Sequence, residues 1–288
     1  MLEMRDAMTT QKQSIGLPTI ATLVFLFFWS VAAFTQSAGY IEQINQLQNR
    51  MLYLPTDSDR IRQGREITRM LTDWLKTDSS FFSKTRPLHV GRVNSPDKQF
   101  NLFTFNIPLT DGTHLFSGVI QLAPQNGQCQ VITLTDVSRQ YETRPVFEQF
   151  TPERWYGSLY YEIIPRKVDG KKVYVLLGSC LNNSLFTNKK IIETLWFTEE
   201  QQPIFGYPMF DYGLKIQSRI IFEYTIMAQM SIHYNKKLDM IIFDHLAPSS
   251  PLYTNNYKYY GPDASYDGFK FKDGLWRFWP NVNPYARK

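Results

Sequence analysis

Residues 101–122 read NLFTFNIPLTDGTHLFSGVIQL, two runs rich in Phe, Leu, Ile and Val on either side of Asp111-Gly112. Both central residues of a type I′ turn need positive φ, which Asp tolerates and Gly supplies, so the stretch predicts a β-hairpin. The same signal recurs where Asp169-Gly170 joins LYYEIIPRKV to KKVYVLLG and where Asp273-Gly274 joins GFKFK to LWRFW. A fourth pairing is predicted between FEYTIMAQMSIHY and LDMIIFDHL through Asn235 to Leu238. Strands joined by tight turns are antiparallel, because parallel neighbours need a long crossover. Roughly ten to twelve strands are expected on this reading. The fold class is therefore mainly β (α+β): a large antiparallel β sandwich, barrel or curved sheet. The pattern does not say which edges meet, and without a repeat along the chain a propeller is unsupported.

Two amphipathic helices precede the strands. Ile41, Ile44, Leu47 and Met51 recur at helical spacing, as do Ile61, Ile67, Met70, Leu71, Trp74 and Leu75 after the cap candidates Asp57 and Ser58. Gly64 weakens the start of the second helix. Before both lies an apolar run, Leu17 to Phe34, with no ionisable side chain between Lys12 and Glu42. Such a run belongs in a membrane, as a signal-peptide core or a spanning anchor. The small, polar stretch TQSAG after Phe34 favours a cleaved signal, and Met8 offers an alternative start with a more ordinary positive head. The organisation expected is a signal or anchor at 1–38, a helical segment at 39–86 and an antiparallel β domain at 87–288, with the body as one domain.

A formal charge of +5 over 288 residues is mild, and the lysine pairs 171/172, 189/190 and 236/237 are scattered through expected turns. That excludes a concentrated nucleic-acid stripe. Aromatic residues make up 15% of the chain and lie mostly in strand runs, where they fill cores in preference to forming a glycan-stacking platform. Cys129 and Cys180 are too few for a disulfide scaffold, although an oxidising compartment permits one bridge.

Catalytic signatures are mostly missing: no G-x-S-x-G, no phosphate-cradling glycine loop, no H-E-x-x-H and no paired C-x-x-C. With a two-residue turn at Lys236-Lys237, His233 stands opposite Met240 and His245 opposite Ala228. The two imidazoles are then roughly 16 Å apart, too far to share a metal. Asp244 and His245 are adjacent, but neighbours on a strand face opposite ways, so a direct dyad requires the strand to have ended. Glu162 and Glu223 sit in apolar runs and must face water or find a partner. Arg154, Asn182, Asn183 and Asn188 are candidate polar edges of a binding cleft. Asp263, Ser265 and Asp267, followed by Gly268, match the first half of a calcium loop, but the twelfth position is Gly274 and the flanks are strands. Two successive turns explain this spacing without a metal. No cofactor is expected, and calcium is the one cation to weigh.

The segments WYGSLYYEIIP, TNKKIIETL, PIFGYPMF, RIIFEYTIMAQMSIHY, MIIFDHLAP and YYGPDASYDGFKFKDGLW, in this order, resemble a family of exported, functionally uncharacterised Bacteroidetes proteins. The resemblance implies an envelope address and no activity. Where that family's pattern carries a Trp-Asp-Gly-Asn-like stretch, this chain has Ser179, Cys180 and Leu181, which weakens the case for an essential disulfide.

The function expected is an exported, non-enzymatic β-rich module that binds or supports an envelope protein, a peptide or a glycan. It would meet no nucleic acid, and a membrane only through an uncleaved N-terminal segment. The rival is an envelope hydrolase using Asp244, His245 and Glu162, with calcium at Asp263 and Asp267. A retained anchor would make it an architectural subunit. Mass spectrometry of the exported protein is expected to place its first residue near Ala38 or Gly39, whereas a mature chain still containing Leu17 to Phe34 would establish the anchor.

Overall fold

The computed structural model describes residues 38–285, and the apolar run from Leu17 to Phe34 lies outside them. From Tyr40 onward the described chain is one compact unit. Helix α1 spans residues 38–51, α2 spans Asp57–Leu75 and the short α3 spans Asp78–Phe82. No described helix is long and apolar enough to cross a membrane. The N-cap of α2 is Thr56, whose side chain accepts from the Asp59 amide, and not the expected Asp57 or Ser58. Asp57 is used elsewhere: its Oδ1 accepts from the Thr110 amide at 2.7 Å and the Thr110 hydroxyl at 2.8 Å, so the helix start clamps the hairpin tip. Those bonds hold the Asp57 carboxyl below the usual carboxylate range. A Cβ at Gly64 would overlap the Ile107 side chain, which packs against the helix and would have to shift.

The strands form three sheets. In the first, β1 (Gly91–Asn94), β2 (Phe100–Pro108), β3 (His114–Leu122) and β4 (Val131–Thr135) follow chain order. In the second, β5 (Leu159–Val168), β6 (Lys171–Cys180) and β7 (Thr187–Phe197) are joined by β11 (Ile220–Thr225), and β8 (Pro203–Phe205) pairs with β7. The third contains β9 (Phe210–Asp211), β10 (Ile216–Gln217), β12 (Ile232–Asn235), β13 (Met240–Pro248), β14 (Tyr260–Lys272) and β15 (Leu275–Trp279), in the order β10-β9-β15-β14-β13-β12. Among the described residues the strands pair antiparallel except β15 with β9, a parallel contact that the turn signals did not announce, and an isolated bridge between Asp136 and Trp155 is also parallel. The fold is mainly β, with antiparallel sheets, one of them curled like a half-barrel, and its helices at the N-terminal end.

Three cores stack these layers. The helices pack Ile44, Ile67, Leu71 and Trp74 against Phe103, Phe105 and Val119 on one face of the first sheet. Its other face, through Phe100, Phe116 and Ile120, meets Tyr174, Leu176, Ile191 and Leu195 of the second. The opposite face of the second sheet, through Val173, Val175, Leu177 and Ile192, meets Ile241, Phe243, Phe269 and Trp276 of the third. The second sheet is thus covered on both sides, which is why VYVLL is a continuous apolar run.

The expected hairpins hold in part. Asp169 (φ 49) with Gly170 (φ 80), and Asp273 (φ 52) with Gly274 (φ 77), make the two-residue turns predicted for them. The Asp111-Gly112 tip is wider than expected. The Leu109 amide donates to the Thr113 carbonyl at 2.7 Å and the Gly112 amide to the Leu109 carbonyl at 3.1 Å, with only Gly112 at positive φ. Asp111 instead accepts from the Thr113 amide and hydroxyl, an Asx turn that favours the wider loop. The run FEYTIMAQMSIHY is not one strand: β11 pairs with β7 and β12 with β13, in different sheets. Asn235 faces Met240 and not Leu238, because its carboxamide accepts from the Lys237 and Leu238 amides and widens that turn. His233 therefore stands opposite Ile242, and Ala228 is outside the pairing.

Cys129 and Cys180 are both buried and are not bridged to each other. The Cys180 thiol donates to the Gly157 carbonyl at 3.0 Å and burial pushes it up to about 12; Cys129 lies by the Thr77 carbonyl at 3.7 Å.

Among the described residues one ion pair is fully buried: Arg219 Nε lies 2.7 Å from Glu193 Oε2, both side chains at 0% exposure. Burial pushes the Glu193 carboxyl upward and the guanidinium opposes it. Arg219→Met alone leaves that carboxylate without its partner and is expected to cost about 3–5 kcal/mol in urea unfolding. The double variant Arg219→Met with Glu193→Leu should recover most of the loss. A single-variant cost below about 1 kcal/mol would show that the pair is solvated.

Candidate functional site

His245 lies where β13 and β14 lose register. Asp244 faces Tyr266 and Leu246 faces Pro262, so the stretch from Asp263 to Ser265 bulges opposite His245, with Ala264 at φ 69. The expected pair of turns is therefore a single strand, β14, broken by a bulge. Its side chains fold back on the imidazole. Asp267 Oδ2 is 2.7 Å from His245 Nδ1, and its Oδ1 accepts from the Asn281 amide at 3.0 Å. Asp263 Oδ2 stands 3.9 Å from His245 Nε2, while its Oδ1 accepts from the Ser265 hydroxyl at 2.7 Å and the Ser265 amide at 3.0 Å. The Ser265 hydroxyl holds the Asp263 carboxyl below its usual range. The Asp267 side chain is 8% exposed and that of His245 45%, so a buried carboxylate holds Nδ1 of a ring that is itself partly exposed.

The proposed hydrolase set is not assembled by this geometry. Asp244 points away from its neighbour and accepts from the Ser231 amide at 2.7 Å, as strand alternation requires. Glu162 accepts from the Tyr234 amide at 3.2 Å, and the Tyr161 hydroxyl donates to the Ile232 carbonyl at 3.0 Å. Both sit at a bulge in β5 and occupy polar groups of β12 at the border of the third sheet. Glu223 also has a partner, the Thr187 hydroxyl at 2.7 Å. The acid that meets His245 is Asp267, which sequence spacing had grouped with a cation loop.

The candidate binding residues take structural positions. Arg154 donates to the Tyr141 hydroxyl at 3.0 Å. The Asn182 amide donates to Asn188 Oδ1 at 3.0 Å and its carbonyl accepts from the His114 amide at 2.6 Å, while Asn183 Nδ2 donates to Ser138 Oγ at 3.2 Å. Asn182 has φ 55, a backbone that Asn tolerates, so these residues shape the β6–β7 connection.

A cleft of 660 Å³ lies elsewhere, lined by the end of β3 and residues after it, the start of β6, and the end of β7 with its following turn. Tyr174 and Phe197 line it on the face of the second sheet that meets the first, Trp196 lines it from the opposite face at the strand end, and its polar border includes Gln99, Gln125, Gln201, Glu199, Glu200, Lys171 and Lys172. Phe197 is fixed against Phe100 (centroids 5.3 Å apart) and Tyr174 (6.2 Å). Trp196 packs edge-on to Tyr207, with Lys171 Nζ 5.0 Å from its ring centroid, and its buried indole Nε1–H has no partner. Asp97 ties the side of the cleft together, accepting from Lys172 at 2.7 Å and the Tyr174 hydroxyl at 2.8 Å. Burial works against ionisation of Asp97, but these bonds outweigh it and hold its carboxyl low. Trp196 stood in a strand run that reads as core, so only its strand-end position next to a polar TEEQQ turn could have signalled the cleft.

Compared with known proteins, the chain matches no family model, no curated protein and no solved structure.

Among the described residues no group of three or more His, Cys, Asp and Glu side chains is arranged to hold a metal ion. The carboxylate oxygens of Asp263 and Asp267 face Ser265, His245 and the Asn281 amide. Millimolar calcium is therefore expected to leave the melting temperature unchanged. A rise of several degrees, absent with magnesium and absent in the Asp263→Ala/Asp267→Ala double variant, would establish a cation site by mass action.

Proposed function

We propose that the protein is a non-enzymatic envelope module that binds a neutral glycan in the cleft around Trp196. The observation that carries this reading is the combination of three aromatic side chains with a border of three carboxamides, Gln99, Gln125 and Gln201, beside two acids and two lysines whose charges balance. Sugar rings present apolar C–H faces that pack on aromatic rings and hydroxyls that pair with carboxamides, which donate and accept at once. A cleft of 660 Å³ is within the size range of small-ligand sites. The three aromatic side chains are also held in place before any ligand arrives, Phe197 by Phe100, Trp196 by Tyr207 and Tyr174 by Asp97. An exported address is supported by the apolar run at Leu17 to Phe34 and by the Bacteroidetes-type resemblance. The binding reading is preferred to a hydrolase because Glu162 and Asp244 hydrogen-bond to the Tyr234 and Ser231 amides while Asp267 is the acid that meets His245.

Titration calorimetry against a panel of neutral oligosaccharides should give saturable binding to at least one. Gln201→Ala, at an exposed turn, should weaken it without changing the melting temperature, and Trp196→Ala should weaken it at least about tenfold, equivalent to about 1.4 kcal/mol. Absence of binding across the panel, or binding indifferent to both variants, would overturn the proposal.

A further inference from the structure

A second pocket, of 600 Å³, opens beside the first sheet between the segment leaving α3 and the β1–β2 turn. Four cations line it, Lys84, Arg86, Arg92 and Lys98, and its lining holds no Asp or Glu. Among the described residues none of the four takes part in an ion pair. Their partners are neutral. Arg92 donates Nη2 to the Phe81 carbonyl at 2.6 Å and Nη1 to the Ser83 carbonyl, and Arg86 donates Nη1 to the Val90 carbonyl at 2.6 Å. Carbonyl oxygens fix the position of a guanidinium without neutralising it. Arg92 is also partly desolvated, which pulls it below the usual arginine range, and its buried Nε–H has no partner. Lys98 occupies the turn at φ 58, a conformation that Gly or Asn adopts at less cost.

We propose that this pocket binds a phosphate-type oxyanion. Two arginines held rigidly by the backbone and two exposed lysines converge on one cavity, and no acid inside it competes for them. Guanidinium groups pair with phosphate oxygens in short, charge-assisted bonds, and a compact dianion answers several cations at once. A fixed cluster of like charges is itself unfavourable, so an anion binding there relieves repulsion as well as forming bonds. The site is separate from the glycan cleft and does not depend on it. The β1–β2 turn divides the two, with Asp97 facing Lys172 and Tyr174 on the cleft side and Lys98 lining this pocket.

The test uses the purified full chain at constant ionic strength, titrated with inorganic phosphate and, in parallel, with chloride. Phosphate should bind saturably at one site and raise the melting temperature, and chloride should do neither. Lys84→Ala with Lys98→Ala, both exposed, should fold normally and lose at least tenfold in phosphate affinity, while Lys236→Ala with Lys237→Ala should bind as the parent does. Two further arms separate the sources of the phosphate. Competition by a soluble sugar phosphate with no sedimentation on phosphatidic acid vesicles assigns a free ester. Sedimentation on phosphatidic acid vesicles that the lysine double variant abolishes assigns a lipid headgroup. Phosphate binding no stronger than chloride binding, or equal in the parent and the Lys84/Lys98 variant, overturns the proposal.

Discussion

Arg219 and Glu193 meet at 2.7 Å with both side chains fully buried, and several separate segments of the chain converge on that pair. Glu193 lies on β7, where its Oε1 also accepts from the Thr194 amide at 2.8 Å. Arg219 Nη1 donates to the carbonyls of Pro145 and Glu148, and the guanidinium stacks over Phe150 at 4.3 Å. Phe150 in turn exchanges backbone hydrogen bonds with Phe205. The chain crosses at Gly206, at φ 96, where a Cβ would lie 2.8 Å from Arg219 Nη2. One buried cation thereby holds together the central sheet, the entry to β11 and the segment that joins the first sheet to the second. A buried pair of this kind is weak evidence for high stability, because desolvation offsets the attraction, but it does penalise every arrangement that separates the partners.

The stacking of layers sets where function can reside. The first and second sheets pack against neighbouring layers on both faces, and the cleft and the cationic pocket both lie at strand ends and turns. The cleft forms where β7 ends and β6 begins, and the cationic pocket where α3 gives way to β1. The buried pair Asn101 and Gln121 shows how the layers are joined. Asn101 Nδ2 donates to Gln121 Oε1 at 3.0 Å and to the Phe81 carbonyl at 3.1 Å, while Gln121 Nε2 reaches the Leu75 carbonyl at 2.8 Å and the Ser80 hydroxyl at 2.7 Å. Carbonyl groups left open at the helix ends are thus satisfied from the sheet.

Local features were legible in the sequence and long-range ones were not. Asp169-Gly170 and Asp273-Gly274 act through the backbone of two residues, so their turns could be read directly. The apolar faces of α1 and α2 follow from helical spacing in the same way. The division of FEYTIMAQMSIHY between two sheets depends on which partner each half finds, and no local signal reports that. His245 was identifiable as a candidate, but its acid is Asp267 on the next strand, brought there by a bulge that changes the register. Lys84, Arg86, Arg92 and Lys98 look like ordinary surface charges in the sequence, and only the path of β1 and its following turn gathers them.

The claim that the cleft around Trp196 is the ligand site is tested most directly by nitrogen-15 spectra of tryptophan-labelled protein titrated with neutral oligosaccharides. Each indole N–H gives its own resonance, and Trp196 is a lining residue of the cleft. The account predicts that the Trp196 resonance moves and saturates while those of Trp155 and Trp276, buried in the two inner cores, stay in place. A Trp196 resonance that stays fixed throughout the titration, whether or not another signal moves, would contradict it.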